Sequence, residues 1–187
     1  MKTVAVLFSG RGTNFAYLAE HLPAHGIRIA VALTNNPEAG GTAVARTHGI
    51  PLEIIDHRSF ADREAFDAEA VRRLKHYAPD LTVLAGFMRI VTPVFTEQIR
   101  AINLHPSLLP RHKGLHAIER SYADPHAEGG VSIHWVSSEL DGGEIILQKR
   151  VVKSNLSLEA YTAAIRRIEK QGLLEAVVRV LYRHANT

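Results

Sequence analysis

The chain contains no cysteine. That excludes a disulfide framework and any metal site built on thiolates, so the fold must rest on burial and hydrogen bonding. Long apolar runs are missing too. The opening stretch MKTVAVLFSG is too short to span a bilayer and lacks a signal-peptide cleavage pattern. A soluble, cytoplasmic protein with no membrane partner is expected. Charge of one sign is also scarce: the formal net charge is +3, and the lysines and arginines are spread along the chain. Nucleic acid is therefore not an expected partner, whereas an anionic small molecule is compatible. The sequence shows no repeat, no low-complexity tract and no linker.

What is present is ordinary globular composition, 46% hydrophobic and 22% charged over 187 residues. That length suits one domain, residues 1–187, with a sizeable core. The first half alternates between two periods. Thr3–Phe8, Ile27–Leu33, Leu52–Ile55 and Asp80–Ala85 are short apolar runs suited to buried strands. Between them, Thr13–His21, Ala39–His48 and Asp62–His76 carry helical spacing. Such alternation predicts a parallel sheet with right-handed crossovers. After Pro93 the rhythm changes: Ile102–His105 reads as a brief strand, Ala117–Asp124 as a helix, and Val131–Val136 and Glu144–Val151 as strands joined by SSELDGG. Ser157–Arg183 is one long helical pattern with a potential break at Gly172. The fold class expected is α/β: a single Rossmann-like domain with a mostly parallel central sheet flanked by helices, an antiparallel C-terminal extension and a long C-terminal helix.

Three places bear chemistry. Ser9-Gly10-Arg11-Gly12-Thr13-Asn14 joins the first strand to the first helix. Glycines bring backbone N–H groups close to a ligand, and the helix N-terminus adds roughly half a positive charge, a recipe for phosphate. A plain turn capped by Thr13 or Asn14 fits the spacing equally well. The segment is neither a dinucleotide fingerprint nor a P-loop, and Thr34-Asn35-Asn36 stand where a ribose-binding acid would follow, which excludes a nicotinamide oxidoreductase. In Asn103-Leu104-His105-Pro106-Ser107, two residues spaced by one project to the same strand face. An amide beside an imidazole suits acyl transfer, since both hydrogen-bond an oxyanion and the ring moves a proton. The plainer reading is that His105, one of eleven histidines, satisfies a loop carbonyl. Asp141 in ELDGGE reads as a turn former unless its turn folds over the end of the His105 strand. A carboxylate there favours a charged imidazole. His112 and His116 lack a third ligand for zinc, Ser9 and Ser107 lack a nucleophile elbow, and Trp135 reads as core. Asp62, Arg63 and Glu64 read as a solvated first helical turn, from which Arg63 could reach a carboxylate ligand.

Asn103-Leu104-His105-Pro106-Ser107-Leu108-Leu109-Pro110, then Lys113-Gly114-Leu115-His116 and Leu140-Asp141-Gly142-Gly143, together with SGRGTN and LAGFMRIV, resemble the folate-dependent formyltransferases along roughly the whole chain. The resemblance is greatest to the branch that formylates phosphoribosyl glycinamide in purine biosynthesis. It implies a catalytic triad of Asn103, His105 and Asp141. Gly12, Thr13 and Asn14 would hold the ribonucleotide phosphate, and Glu169 the glycinamide end. Met88, Arg89, Ile90 and Val91 would clasp the folate pterin, Ser137, Ser138, Glu139, Leu140 and Asp141 would close its pocket, and Arg63 would meet the folate tail. The N-terminal half, about residues 1–100, would bind phosphate, and the half from about 101 to 187 would carry catalysis and folate binding. The co-substrate implied is 10-formyltetrahydrofolate, with no metal, in a monomer or homodimer.

Four departures accompany the resemblance. Ser138 stands where many relatives carry a second acid, His112-Lys113 replaces a more aromatic or proline-bearing stretch, Lys170 stands where histidine is common, and the chain stops at Thr187. Three rivals are also defined. A folate deformylase is expected to carry an N-terminal regulatory domain, and a tRNA formylase a C-terminal RNA-binding domain and basic surface. A non-catalytic nucleotide-binding module would bind at SGRGTN and transfer nothing.

Overall fold

Seven strands form one mixed sheet in the computed structural model, which describes residues 1–183. In chain order they are β1 (Lys2–Phe8), β2 (Ile27–Thr34), β3 (Leu52–Ile54), β4 (Leu81–Leu84), β5 (Ala101–His105), β6 (Glu128–Trp135) and β7 (Ile145–Val152). The spatial order is β3-β2-β1-β4-β5-β6-β7. The first five are parallel, and β6 and β7 run antiparallel at the C-terminal edge. The chain winds outward from β1 to β3 and then restarts on the other side with β4. Between β1 and β4, therefore, the loops leaving the strand ends diverge and open a crevice, as in other open parallel sheets.

Six α-helices connect the strands: α1 (Thr13–His21), α2 (Gly41–Thr47), α3 (Arg63–Tyr77), α4 (Pro93–Thr96), α5 (Ala117–Ala123) and α6 (Leu158–Arg183). Alternation along β1 sorts the core into two clusters. Val4, Val6 and Phe8 pack with Phe15 and Leu18 of α1 and Leu173 and Val177 of α6. Ala5 and Leu7 face the other way, toward Phe66, Val71 and Leu74 of α3. The sequence reading passed over α4, whose Pro93 sits in the first turn, where its missing N–H costs nothing.

The expected break at Gly172 does not occur; α6 is continuous. A Cβ at Gly172 would lie 3.0 Å from Ile133 Cδ1, so this glycine lets a long helix approach β6 closely rather than ending it. On β5, Ile102 and Leu104 turn into the α6 side of the core, which leaves Ala101, Asn103 and His105 on the α3 side. On that face His105 meets groups from two loops, and Asn103 meets a side chain of the neighbouring β6.

Candidate active site

The loop after β1 reaches α1 through Gly12, whose φ of 75° lies in the left-handed region. A Cβ there would stand 2.6 Å from the Gly41 Cα, so a side chain is excluded by both torsion and space. Gly12 is the N-cap, and no side chain caps α1. The expected cap by Thr13 or Asn14 is thus corrected: both lie inside the first turn, and the helix N-terminus keeps free N–H groups of the kind that hold an anion. Asn14 Oδ1 is buried with no hydrogen-bond partner. Glu169 of α6 is 3% exposed and receives Arg166 at 2.8 Å. Burial raises its pKa, against the opposing pull of Arg166 and of a hydrogen bond from the Asn14 side chain.

The loop after β4 is tied down at both ends. Ser9 Oγ accepts the Met88 N–H at 2.7 Å and donates to Asn35 Oδ1 at 2.6 Å, which joins the loops leaving β1, β2 and β4. Asp67 of α3 accepts the N–H and hydroxyl of Thr92 at 2.7 and 2.8 Å, and burial raises its pKa. Between these anchors Met88 and Ile90 stay 66% and 46% exposed, while the Arg89 guanidinium lies 4.6 Å over the Phe66 ring. Val91 packs on the same apolar cluster as Val136, so this loop and the start of the Ser137–Asp141 loop flank one face. Ser137 Oγ donates to the Glu139 carbonyl at 3.2 Å, Ser138 and Glu139 are exposed, and Leu140 is 49% exposed. Arg63, first in α3, is also exposed.

The ELDGG turn does fold over the strand that carries His105. Asp141 Oδ2 lies 3.5 Å from His105 Nδ1 and accepts the Gly114 N–H at 2.9 Å. Asp141 is buried at a φ of 52°, a left-handed torsion that aspartate tolerates better than most residues. The other nitrogen of His105, Nε2, donates to the His112 carbonyl at 2.7 Å. The plainer reading, a histidine that satisfies a loop carbonyl, therefore holds beside the functional one. Both ring nitrogens face acceptors, and the doubly protonated ring satisfies both.

A fourth member, His134, escaped the sequence reading. In the antiparallel pairing Asn103 stands opposite His134, so the two project to the same face. The His134 Nδ1–H donates to the Trp135 carbonyl at 2.9 Å, which leaves Nε2 as an acceptor for Asn103 Nδ2 at 3.4 Å. Burial lowers the His134 pKa, outweighing the Trp135 carbonyl and Asp141; His105 and Lys113 push it the same way as burial. Burial thus works against a charged ring, and Nε2, 3.8 Å from Asp141 Oδ1, serves Asn103 as an acceptor. A histidine inside a largely apolar run, in register with Asn103, was the available signal, but the register was not visible in sequence. Trp135, expected in the core, is partly buried against it, with the Arg100 guanidinium 4.6 Å over its ring. Among the described residues, no group of three or more histidine, cysteine, aspartate or glutamate side chains is placed to hold a metal ion.

A partly buried amide, an imidazole between two acceptors and a buried carboxylate are the equipment of acyl transfer. The formyl transferase family model matches residues 2–177, and the chain belongs to that family. It is 39% identical over 152 residues to phosphoribosylglycinamide formyltransferase of Escherichia coli, a match covering 79% of this chain and 72% of that protein. The Haemophilus influenzae protein of the same name is 36% identical over 176 residues, 91% of this chain and 83% of the relative. The crystal structure of phosphoribosylglycinamide formyltransferase from Campylobacter jejuni superposes with a TM-score of 0.93 at 45% identity, covering 96% of this chain and 97% of that one.

Proposed function

We propose that the chain transfers the formyl group of 10-formyltetrahydrofolate to the amine of 5'-phosphoribosyl glycinamide, giving the N-formyl product and tetrahydrofolate in purine biosynthesis. The single observation that carries this reading is the approach of Asp141 to His105 beside Asn103, within a chain that matches such enzymes end to end. Residues 1–187 act as a single unit, in the cytoplasm. Gly12, Thr13, Asn14 and Glu169 hold the ribonucleotide. Exposed Met88, Ile90 and Leu140 offer apolar surface to a flat pterin, with Arg89, Val91, Ser137, Ser138 and Glu139 completing its pocket and Arg63 at the folate tail.

In this scheme a new C–N bond forms as the substrate amine attacks the formyl carbon. The Asn103 amide, one N–H on His134 and the other free, donates to the carbonyl oxygen as negative charge develops there. His105 supports the same charge through a proton on Nδ1, between Asp141 and the reacting centre. Asp141 takes up the proton that the amine sheds, through an ordered water, and that proton ends on the folate nitrogen as the old C–N bond breaks. Replacing His105 with Ala is expected to lower kcat by about a hundredfold or more, as when oxyanion support is lost. A formyl-transfer assay offering phosphoribosyl glycinamide, water or charged tRNA as acceptor tests the whole reading. Turnover only with the first is expected; transfer to water or tRNA instead, or none at all, would falsify it.

A further inference from the structure

At its Nε2 edge, His105 is held by a loop that has its own partly buried charge cluster. His112 adopts a φ of 56°, disfavoured for a residue with a Cβ, and its carbonyl accepts His105 Nε2–H at 2.7 Å and the Ser107 hydroxyl at 3.4 Å. The His112 ring does not point at the active site. Its Nε2 lies 2.6 Å from Asp124 Oδ2, at the C-terminal end of α5. Asp124 is fixed in turn: Oδ1 accepts Lys153 Nζ at 2.7 Å and the His126 N–H at 2.9 Å. The Lys153 ammonium, its side chain 9% exposed, also donates to the carbonyls of Ser121 and Asp124 at 2.7 and 2.9 Å. Arg111 Nη1 stands 3.9 Å from Asp124 Oδ2. Burial alone would raise the Asp124 pKa, but Lys153 and His112 reverse this and hold the carboxyl well below the usual range.

We infer that His112 and Asp124 are positioning residues for His105: the carboxylate anchors the His112 ring, the left-handed turn delivers the His112 carbonyl to Nε2, and Nδ1 is thereby kept facing Asp141. A histidine ring with only one anchored nitrogen can rotate or exchange tautomers. Two acceptors at opposite edges fix the ring plane, and the closer of them, the His112 carbonyl at 2.7 Å against 3.5 Å for Asp141, favours the proton on Nε2 of the neutral ring; that acceptor is in place only while the loop is pinned. The chain thus joins its catalytic strand to α5 and to the end of β7 through one side chain.

The kinetic part of the test rests on the formyl-transfer reading; the spectroscopic part does not. Long-range proton–nitrogen correlation on nitrogen-15-labelled protein at alkaline pH reports which nitrogen of neutral His105 carries the proton. Nε2 is expected in the unaltered chain, and a proton on Nδ1 overturns the proposal whatever the enzyme's activity. In His112→Ala that preference is lost, and kcat falls by about ten- to a hundredfold while KM for both substrates stays within about twofold, the signature of misplacement. His112→Gln, whose amide nitrogen replaces Nε2 as donor to Asp124, restores most of kcat. Unchanged kcat in His112→Ala, or equal impairment in Gln and Ala variants, also overturns it. Asp124→Ala serves as the second variant, with the same expectations. Should neither fold, the spectrum of the unaltered chain decides.

Discussion

Glu169 sits 3% exposed in α6, and its pKa is raised because burial outweighs Arg166, Lys170 and Asn14. A carboxylate with a raised folded pKa is disfavoured by folding, so above that pKa it costs stability, and the cost is relieved as pH falls through it. A buried carboxylate that costs stability in this way suits the role proposed for Glu169, holding the glycinamide end of the substrate. Glu169→Gln keeps the shape and removes the charge. It is expected to raise Tm by about 2–4 °C near neutral pH, the shift that roughly 1 kcal/mol gives a domain of this size. The same change should raise KM for phosphoribosyl glycinamide by about tenfold, the loss of a hydrogen bond to a charged group. Melting curves at neutral and acidic pH check the first part, since the two proteins should converge once Glu169 is protonated. A variant that is less stable at neutral pH while binding normally would contradict both halves.

At the scale of elements, the end of α1 proposed to meet the phosphate depends on Gly12. Its φ of 75° and the 2.6 Å clearance to the Gly41 Cα leave no room for a methyl group. Gly12→Ala should therefore cost about 2 kcal/mol from torsion alone, and more if the contact with α2 is not relieved. It should also weaken phosphate binding, because α1 cannot keep its N-terminus open if the turn shifts. Urea unfolding and KM for phosphoribosyl glycinamide measure the two effects, and an alanine variant unchanged in both would show the turn to be permissive. Elements of this kind were readable in advance to differing degrees. Continuous apolar runs located β1, β2 and β4 to within one residue at either end, because a strand buried on both faces leaves a strong compositional trace. α4 left none: four residues that begin with a proline carry no period. Gly172 misled, since a glycine that admits a neighbouring strand and one that ends a helix look alike until packing is known. Asn103 and His105 were a pair by strand geometry alone. Asp141 joined them in the sequence reading only through resemblance, because its place depends on a left-handed turn over the sheet.

Over the molecule as a whole, the antiparallel strand that ends the parallel run carries a group through which pH is expected to act on folding. β6 carries His134 into a site walled by Asn103, Asp141 and the Trp135 carbonyl, with His105 and Lys113 as further charges nearby. Its pKa is lowered from an ordinary 6.5, chiefly by burial. Above the ordinary value both folded and unfolded chains hold the ring neutral, and His134 adds nothing to the pH dependence. As pH falls below it, the unfolded chain takes the proton first, so stability declines until the folded ring also protonates. Asp67 and Glu169, raised by burial, act in the opposite sense at lower pH, as their buried charge is relieved. The acid limb should therefore begin near pH 6.5, above the range in which carboxylates titrate. His134→Gln places an amide where Nε2 stood and cannot titrate. In that variant the fall in Tm just below pH 6.5 should be shallower than in the unaltered chain, while behaviour above pH 7 stays the same. Parallel melts across this window separate the outcomes. An identical acid limb in both proteins would assign that decline to other histidines among the eleven, and would mean that the ring beside Asn103 accepts its proton as readily folded as unfolded.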